Sequence, residues 1–408
     1  MNQSCETPSG AAISHQDQTA PTAQWSAVLA MSLCAFAMVA SEFLPVSLLT
    51  LMAEDLHVSE GAIGQGISIS GFFALITALT ISSLAGNLDR RMLLLGLTGL
   101  MVVSALTVGF AHSYSVYMTG RILVGVALGG FWSLSAAAAV RLVPADQVAK
   151  ALAIFNAGNA LAMVIAAPLG SYLGSLIGWR GAFLFLVPVT LLAFAWQWIS
   201  LPSMEGNQTQ KKLADIFGHL KQLKILLGFI AASLFFAGQF SLFTYIRPYL
   251  ETAAGIDAQT LSSILLLMGV AGFIGTTIIN RFLKAGLYLT LSFMPAVLAA
   301  IAVLLIEFGG SLTTVIVLLG FWGFIATAAP VGWWAWVAEA MNHDPEAGGG
   351  LMVAFVQLAI GLGSTVGGIM FDHYGYELAF GVSALLLLAT SLAVWGLRWV
   401  SGSRVNPL

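Results

Sequence analysis

WSAVLAMSLCAFAMVASEFLPVSLLT, residues 25–50, holds one acidic or basic side chain, Glu42. About 20 apolar residues carry an α-helix across the hydrocarbon core of a bilayer. A long apolar run without strict alternation does not read as a barrel strand, so the segment is a candidate membrane-spanning helix. The pattern recurs at about 60–85, 92–111, 114–140, 148–173 and 182–201, then at about 223–248, 258–279, 287–306, 311–338, 350–371 and 377–399. The expected fold is all-α and polytopic, with twelve transmembrane helices in two pseudo-symmetric six-helix bundles, 25–201 and 223–399. The polar interval 202–222 is read as a cytoplasmic linker, 1–24 as a disordered cytoplasmic tail, and 400–408 as a cytoplasmic C-terminal tail.

Composition agrees: 59% of residues are hydrophobic and 8% charged, against roughly 25% charged in soluble domains. Of the 15 Lys and Arg, twelve fall in or beside alternate connections: Arg90, Arg91, Arg141, Lys150, Lys211, Lys212, Lys221, Lys224, Arg281, Lys284, Arg398 and Arg404. That asymmetry places both termini in the cytoplasm of a bacterial inner-membrane protein. A net charge of −3 without a basic block argues against a nucleic-acid partner. Two cysteines, Cys5 and Cys34, make no disulfide framework.

The halves read as diverged copies. GSYLGSLIGWRGAF (170–183) aligns without gaps on GGIMFDHYGYELAF (367–380), GGFWSL (129–134) corresponds to VGWWAW (331–336), and EFLPV (42–46) to YIRPY (245–249). Paired six-helix repeats are a transporter architecture, with substrate bound near the midplane between them. No Walker loop, Rossmann fingerprint, catalytic carboxylate pair or metal-ligand spacing appears, so neither an enzyme nor an ATP-driven pump is expected. Asp372, His373 and Glu377 cluster in a turn but lack a second cluster to close a coordination sphere, so no metal site is expected.

Three segments carry a family resemblance. GNLDRRM (86–92), RILVGVALGG (121–130) and AAPLG (166–170) resemble the second-loop, fourth-span and fifth-span motifs of the major facilitator superfamily, in its drug:proton antiporter branch. The central Gly-Pro of the fifth-span motif is Ala-Pro here. SEFLPVSLLT (41–50), AGQFSLFTYIRP (237–248) and PVGWW (330–334) narrow the resemblance to that branch's bacterial purine ribonucleoside efflux pumps. The resemblance implies proton-linked efflux of nucleosides such as inosine, adenosine and guanosine and of toxic purine analogues, by alternating access. It also implies a gating role for Asp89, Arg90 and Arg91 and for the motif residues Pro168 and Gly170. Export of sugars or drugs on the same scaffold is the competing expectation. The proton is then the coupling ion, no other cofactor is expected, and a monomer is the expected working unit.

Two intramembrane charges bear on coupling. Glu42 lies about two turns, roughly 12 Å, from the end of its span. Apolar surroundings favour its neutral form and a nearby cation its anion, and a carboxyl between those influences can load and unload a proton. Snorkelling to the interface is the plainer alternative. Arg121 sits at a similar depth, about 10 Å in, and stays charged at physiological pH. It is either the partner that tunes Glu42 or an anchor to backbone carbonyls. Substrate candidates are the polar and aromatic residues of otherwise apolar spans: Gln239, Tyr245, Gln357, Asn159, Asn156, Trp132, Trp333, Trp334 and Arg247. Amides can read base edges or ribose, and rings can stack on a base. The same residue types also glue membrane helices together or mark interfaces.

Overall fold

The computed structural model describes residues 23–86, 88–144, 147–204 and 218–402. The sequence expectations for residues 1–22, for 205–217 of the linker (Lys211 and Lys212 included) and for 403–408 lie outside them. The N-terminal half comprises α1 (Trp25–Leu56), α2 (Glu60–Ala85), α3 (Arg90–Gly109), α4 (Tyr114–Arg141) and α5 (Val148–Ser200). The C-terminal half comprises α6 (Leu223–Phe243), α7 (Ile246–Ala253), α8 (Ala258–Ala285), α9 (Leu287–Glu307), α10 (Leu312–Ala326), α11 (Ala329–Ala340), α12 (Pro345–Tyr374) and α13 (Tyr376–Gly402).

Eleven stretches among the described residues are long and apolar enough to cross a membrane, and one of them, Lys150–Ser200, is 51 residues long. It turns at Gly178 (φ 75°, ψ 165°) and is therefore two spans, which makes twelve. Gly375, between α12 and α13, has φ 83° and ψ 179°. Such backbone angles are open to glycine at little cost. Gly178 and Gly375 occupy the same place in the two aligned segments, so the duplication is visible in the backbone as well as in the letters. Ser59, Asp89, Ser113, Asp257 and Asp344 start α2, α3, α4, α8 and α12 by accepting from a first-turn backbone N–H, the usual capping chemistry. Large apolar side chains such as Ile199, Leu385 and Leu392 are exposed on the outer surface, as a multi-pass membrane protein requires.

Two spans are broken where the sequence reads as continuous. The seventh is interrupted at Thr244–Tyr245, between α6 and α7, and the tenth at Thr327–Ala328, between α10 and α11. Pro330 has no N–H for the carbonyl of Ala326, four residues back, and its ring crowds that carbonyl. The consequence is local: a helix end at the midplane.

The end of the bundle holding the start of α1 and the end of α13 is here called inner, the opposite end outer. At the inner end Asp89 accepts from Arg91 N–H (2.8 Å), Met204 N–H (2.8 Å) and Ser203 Oγ (2.6 Å). Arg91 donates to the Trp198 carbonyl (2.6 Å) and Arg90 N–H to that of Met204 (2.9 Å). This cluster, expected to act as a gate, ties α3 to the end of α5 within one half. Burial opposes the charge of Asp89, but the donors from Ser203, Met204 and Arg91 outweigh it and hold the carboxyl below its ordinary range. A lowered carboxyl stabilises the fold above the unfolded-state value and loses that contribution as pH falls through the folded one. Asp89→Ala should therefore cost about 1 kcal/mol near neutral pH, the usual worth of a cap. The difference from wild type should shrink as the pH falls through the depressed carboxyl range of Asp89, as followed by thermal unfolding at neutral and acidic pH.

Candidate functional site

A cavity of about 290 Å³ lies between the halves and is lined from both. Its polar wall consists of Glu42 from α1, Asn156 and Asn159 from α5, Gln239 from α6, Thr327 from the break before α11, and Gln357 from α12. Phe43, Phe236, Phe240, Phe243, Trp132, Trp322 and Trp334 supply aromatic surface. Asn156 and Trp334 are exposed although they line the cavity, so it opens toward the inner end. Gln239 Oε1 and Trp322 Nε1 are buried with no hydrogen-bond partner in the protein. Thr327, Trp322 and the Ala326–Pro330 break are contributions that the sequence reading missed. Pro330 was the available signal, since proline inside an apolar run marks a freed carbonyl.

The repeat explains which tryptophans face the cavity. Trp132 and Trp334 are equivalent positions and both line it. Their preceding neighbours, Phe131 and Trp333, are also equivalent, and both are buried in the cores of their own halves. Adjacent residues on a helix do not share a face, so Trp333 packs on Phe235 and Trp336 and lies outside the cavity lining.

Arg121 is fully buried, and its guanidinium fans onto two helices. Nε donates to the Gly66 carbonyl (3.1 Å), Nη1 to that of Ser41 (3.0 Å) and Nη2 to Ser70 Oγ (3.0 Å). Sequence accounts for the site at both ends. Pro45 removes the N–H that the Ser41 carbonyl would otherwise meet in α1. Gly125 and Gly129 let α4 lie against the α2 backbone, where an added Cβ would sit 2.3 Å from the Ser70 carbonyl and 2.1 Å from that of Ala74. Glu42 instead takes a long hydrogen bond from Gln357 Nε2 (3.5 Å), across the halves. The expected Glu42–Arg121 ion pair is absent from this conformation: the donors of Arg121 are spent on backbone and hydroxyl acceptors.

On the outer side of the cavity the halves are joined by a hydrogen-bonded seam between α2 and α12. Ser68 Oγ donates to the Gly361 carbonyl (2.7 Å), Thr365 Oγ1 to Ser68 Oγ (2.7 Å) and Ser364 Oγ to the Gly64 carbonyl (3.0 Å). The Asp372 carboxylate completes it, accepting from Ser59 Oγ (2.5 Å) and Gly61 N–H (2.9 Å). Asp372 thus serves as a clasp on the first turn of α2, a role the sequence did not disclose. Tyr245 and Arg247, two substrate candidates, belong to this closure and not to the cavity lining. Tyr245 is fully buried, donates to the Ser364 carbonyl (2.8 Å) and stacks on Phe371. Arg247 donates to the Ser47 carbonyl and pairs with Glu251 at 2.8 Å. Tyr245 lies in the break at Thr244–Tyr245 and Arg247 just after it, outside the cavity lining. Pro168 has no N–H for the Val164 carbonyl, against which Gly269 of α8 packs from the other half. Gly170 packs on Ser47 and Leu44 of α1, within its own half. Among the described residues, no group of three His, Cys, Asp or Glu is placed to hold a metal.

The sequence pattern of the Major Facilitator Superfamily matches residues 31–349. The purine ribonucleoside efflux pump NepI of Salmonella typhimurium is 40% identical over 370 residues, 91% of this chain and 93% of that protein. The transcription regulatory protein OpdE of Pseudomonas aeruginosa is 57% identical over 367 residues, 89% of this chain and 91% of that protein. Among solved structures, a bacterial homologue of the human lysosomal transporter Spinster, in an inward-facing and unoccupied conformation, superposes with a TM-score of 0.73 at 15% identity. That match covers 94% of this chain and 99% of the other. The human organic anion transporter MFSD10 superposes with a TM-score of 0.68 at 15% identity, covering 91% and 99%.

Proposed function

This chain belongs to the major facilitator superfamily, and from that premise we propose that it exports purine ribonucleosides and toxic purine analogues in exchange for protons. The observation that carries the reading is the cavity between the halves, where one carboxyl, Glu42, shares the wall with four amides and paired tryptophans. A neutral nucleoside presents a flat base and a ribose with several donors and acceptors. The amides of Asn156, Asn159, Gln239 and Gln357 suit such edges, and Trp132 and Trp334 suit the base plane. The 40% identity to a purine ribonucleoside efflux pump over nearly the whole chain supports the same substrate class.

The Lys and Arg distribution favours a cytoplasmic inner end, so this conformation loads from the cytoplasm with the α2–α12 seam closed. Rocking of the halves opens the seam to the periplasm, where Glu42 takes up a proton as nucleoside leaves. The return stroke delivers the proton inside. The regulatory name of the Pseudomonas relative fits a second reading on the same scaffold: an exported solute that is itself a signal alters transcription when its internal concentration changes, with no contact to DNA.

The test is uptake of radiolabelled inosine into inside-out vesicles with an acidic lumen. Accumulation that collapses when a protonophore is added is the expected result. No inosine movement in vesicles holding correctly folded protein would refute the nucleoside reading and direct attention to sugars and drugs.

A further inference from the structure

The seam and the proton candidate meet at one residue. Gln357 is buried on α12, and its amide reaches Glu42 of α1 at 3.5 Å. Its backbone carbonyl lies against α2, where a Cβ on Gly71 would sit 2.8 Å from it. One residue of the C-terminal half therefore touches two helices of the N-terminal half. One turn further along α12 the hydrogen-bonded seam begins at Gly361, and it continues through Ser364 and Thr365 to Asp372.

We infer that Gln357 is the positioning residue that passes the protonation state of Glu42 to the seam between the halves. This rests on the proposed proton role of Glu42. The chemistry is that of an amide, which carries a donor and an acceptor on one planar group. An ionised carboxylate only accepts, so it holds the Nε2 side of Gln357. A protonated carboxyl presents an O–H, which the Oε1 side accepts. Proton uptake therefore adds a donor that competes for Oε1, replaces the charge-assisted bond to Nε2 by a weaker one, and changes what α12 offers to the cavity at the point where α12 also contacts α2.

The surroundings leave few competitors for this switch. From α4, Arg121 supplies a cation whose donors are held by Ser41, Gly66 and Ser70. From α5 and α6 the cavity wall offers the uncharged amides Asn156, Asn159 and Gln239. From α7, Arg247 is occupied by Glu251 and the Ser47 carbonyl. From α2 the facing polar groups are hydroxyls, Ser68 and Ser70, already bonded.

The experiment reads conformation directly and needs no substrate. Spin labels are placed at Glu54→Cys and His373→Cys, exposed positions at the outer end of the two halves, in a Cys5→Ser, Cys34→Ser background. Their separation is measured in lipid nanodiscs between about pH 8 and about pH 6, a roughly hundredfold change in proton activity. The parent is expected to shift toward the longer separation at the lower pH, and Gln357→Leu to lose that shift while keeping Glu42. Gln357→Ala serves as the second variant, with monodisperse elution as the check on folding. A shift lost in Glu42→Gln but retained in both Gln357 variants overturns this inference alone. A shift that survives Glu42→Gln removes the proton role of Glu42, and with it the signal that Gln357 is inferred to pass on. A parent that does not respond to pH overturns both.

Discussion

Glu42→Gln vesicles are expected to hold inosine at no more than the outside concentration, whatever the pH gradient. An exchange of one proton per nucleoside would gain about 1.36 kcal/mol per pH unit and so sustain a roughly tenfold ratio across one unit in the wild type. Glutamine keeps the shape of the side chain and can still bond Gln357, but it cannot carry a proton at any accessible pH. The substitution therefore separates the cavity's geometry from its proton chemistry. Because Glu42 lines the cavity itself, a proton on Glu42 and a nucleoside in the cavity would need no distant relay to exclude one another. Full gradient-driven accumulation in Glu42→Gln would move the coupling site elsewhere.

Arg121→Lys is expected to destabilise the protein by about 1–2 kcal/mol and to abolish driven transport, although the charge is retained. The three acceptors sit on two helices, and the guanidinium spans them as a rigid fan. An ammonium is a point on a flexible stem and reaches one or two of the three. Hydrogen bonds from charged groups are worth about 1.5–3 kcal/mol each in soluble proteins. Polar contacts within membranes average nearer about 0.6 kcal/mol, so the lower part of the combined range is the working figure. The deeper consequence is orientational: losing Ser41 or Gly66 loosens α1 against α2 just where Glu42 must be held. Thermal melting in lipid nanodiscs beside the inosine assay tests both effects. A lysine variant with wild-type melting and wild-type transport would show that charge alone suffices.

The two residues differ in how far they could be read from sequence. A carboxyl in residues 25–50 and an arginine in RILVGVALGG stand out in one dimension because ionised groups are costly in lipid. Their depths were legible, because depth follows from counting 1.5 Å per residue along a helix. Their partners were not. Arg121 turned to carbonyls because Pro45 freed one of them and Gly125 and Gly129 let α4 come within reach of another helix. Each cause lies on a different segment from Arg121 or depends on how two segments pack.

The same division runs through the cavity. Gln239, Gln357, Asn156, Asn159, Trp132 and Trp334 line it, whereas Trp333, Tyr245 and Arg247 do not. These helices are apolar around most of their circumference, so hydropathy carries little of the facial signal that an amphipathic helix would. One residue of rotation separates Trp334 from Trp333, and the break at Thr244–Tyr245 separates Gln239 from Tyr245. Asp372 shows the limit most plainly. In the sequence it is one acid in a loop cluster, and in the fold it clasps Ser59 and Gly61, more than 300 positions away.

By itself the sequence determined the solvent, the number of crossings, the duplication and the family, because each follows from properties summed along the chain: hydropathy, length, charge asymmetry and repeat. Gly178 and Gly375 belong with these, since a special backbone angle leaves a letter behind. Tertiary structure alone decided which side chains share the cavity, what Arg121 holds, and where the halves are fastened. Those depend on the rotation of each helix about its axis and on the distance between helices, and in an apolar solvent both are set by close packing among many segments.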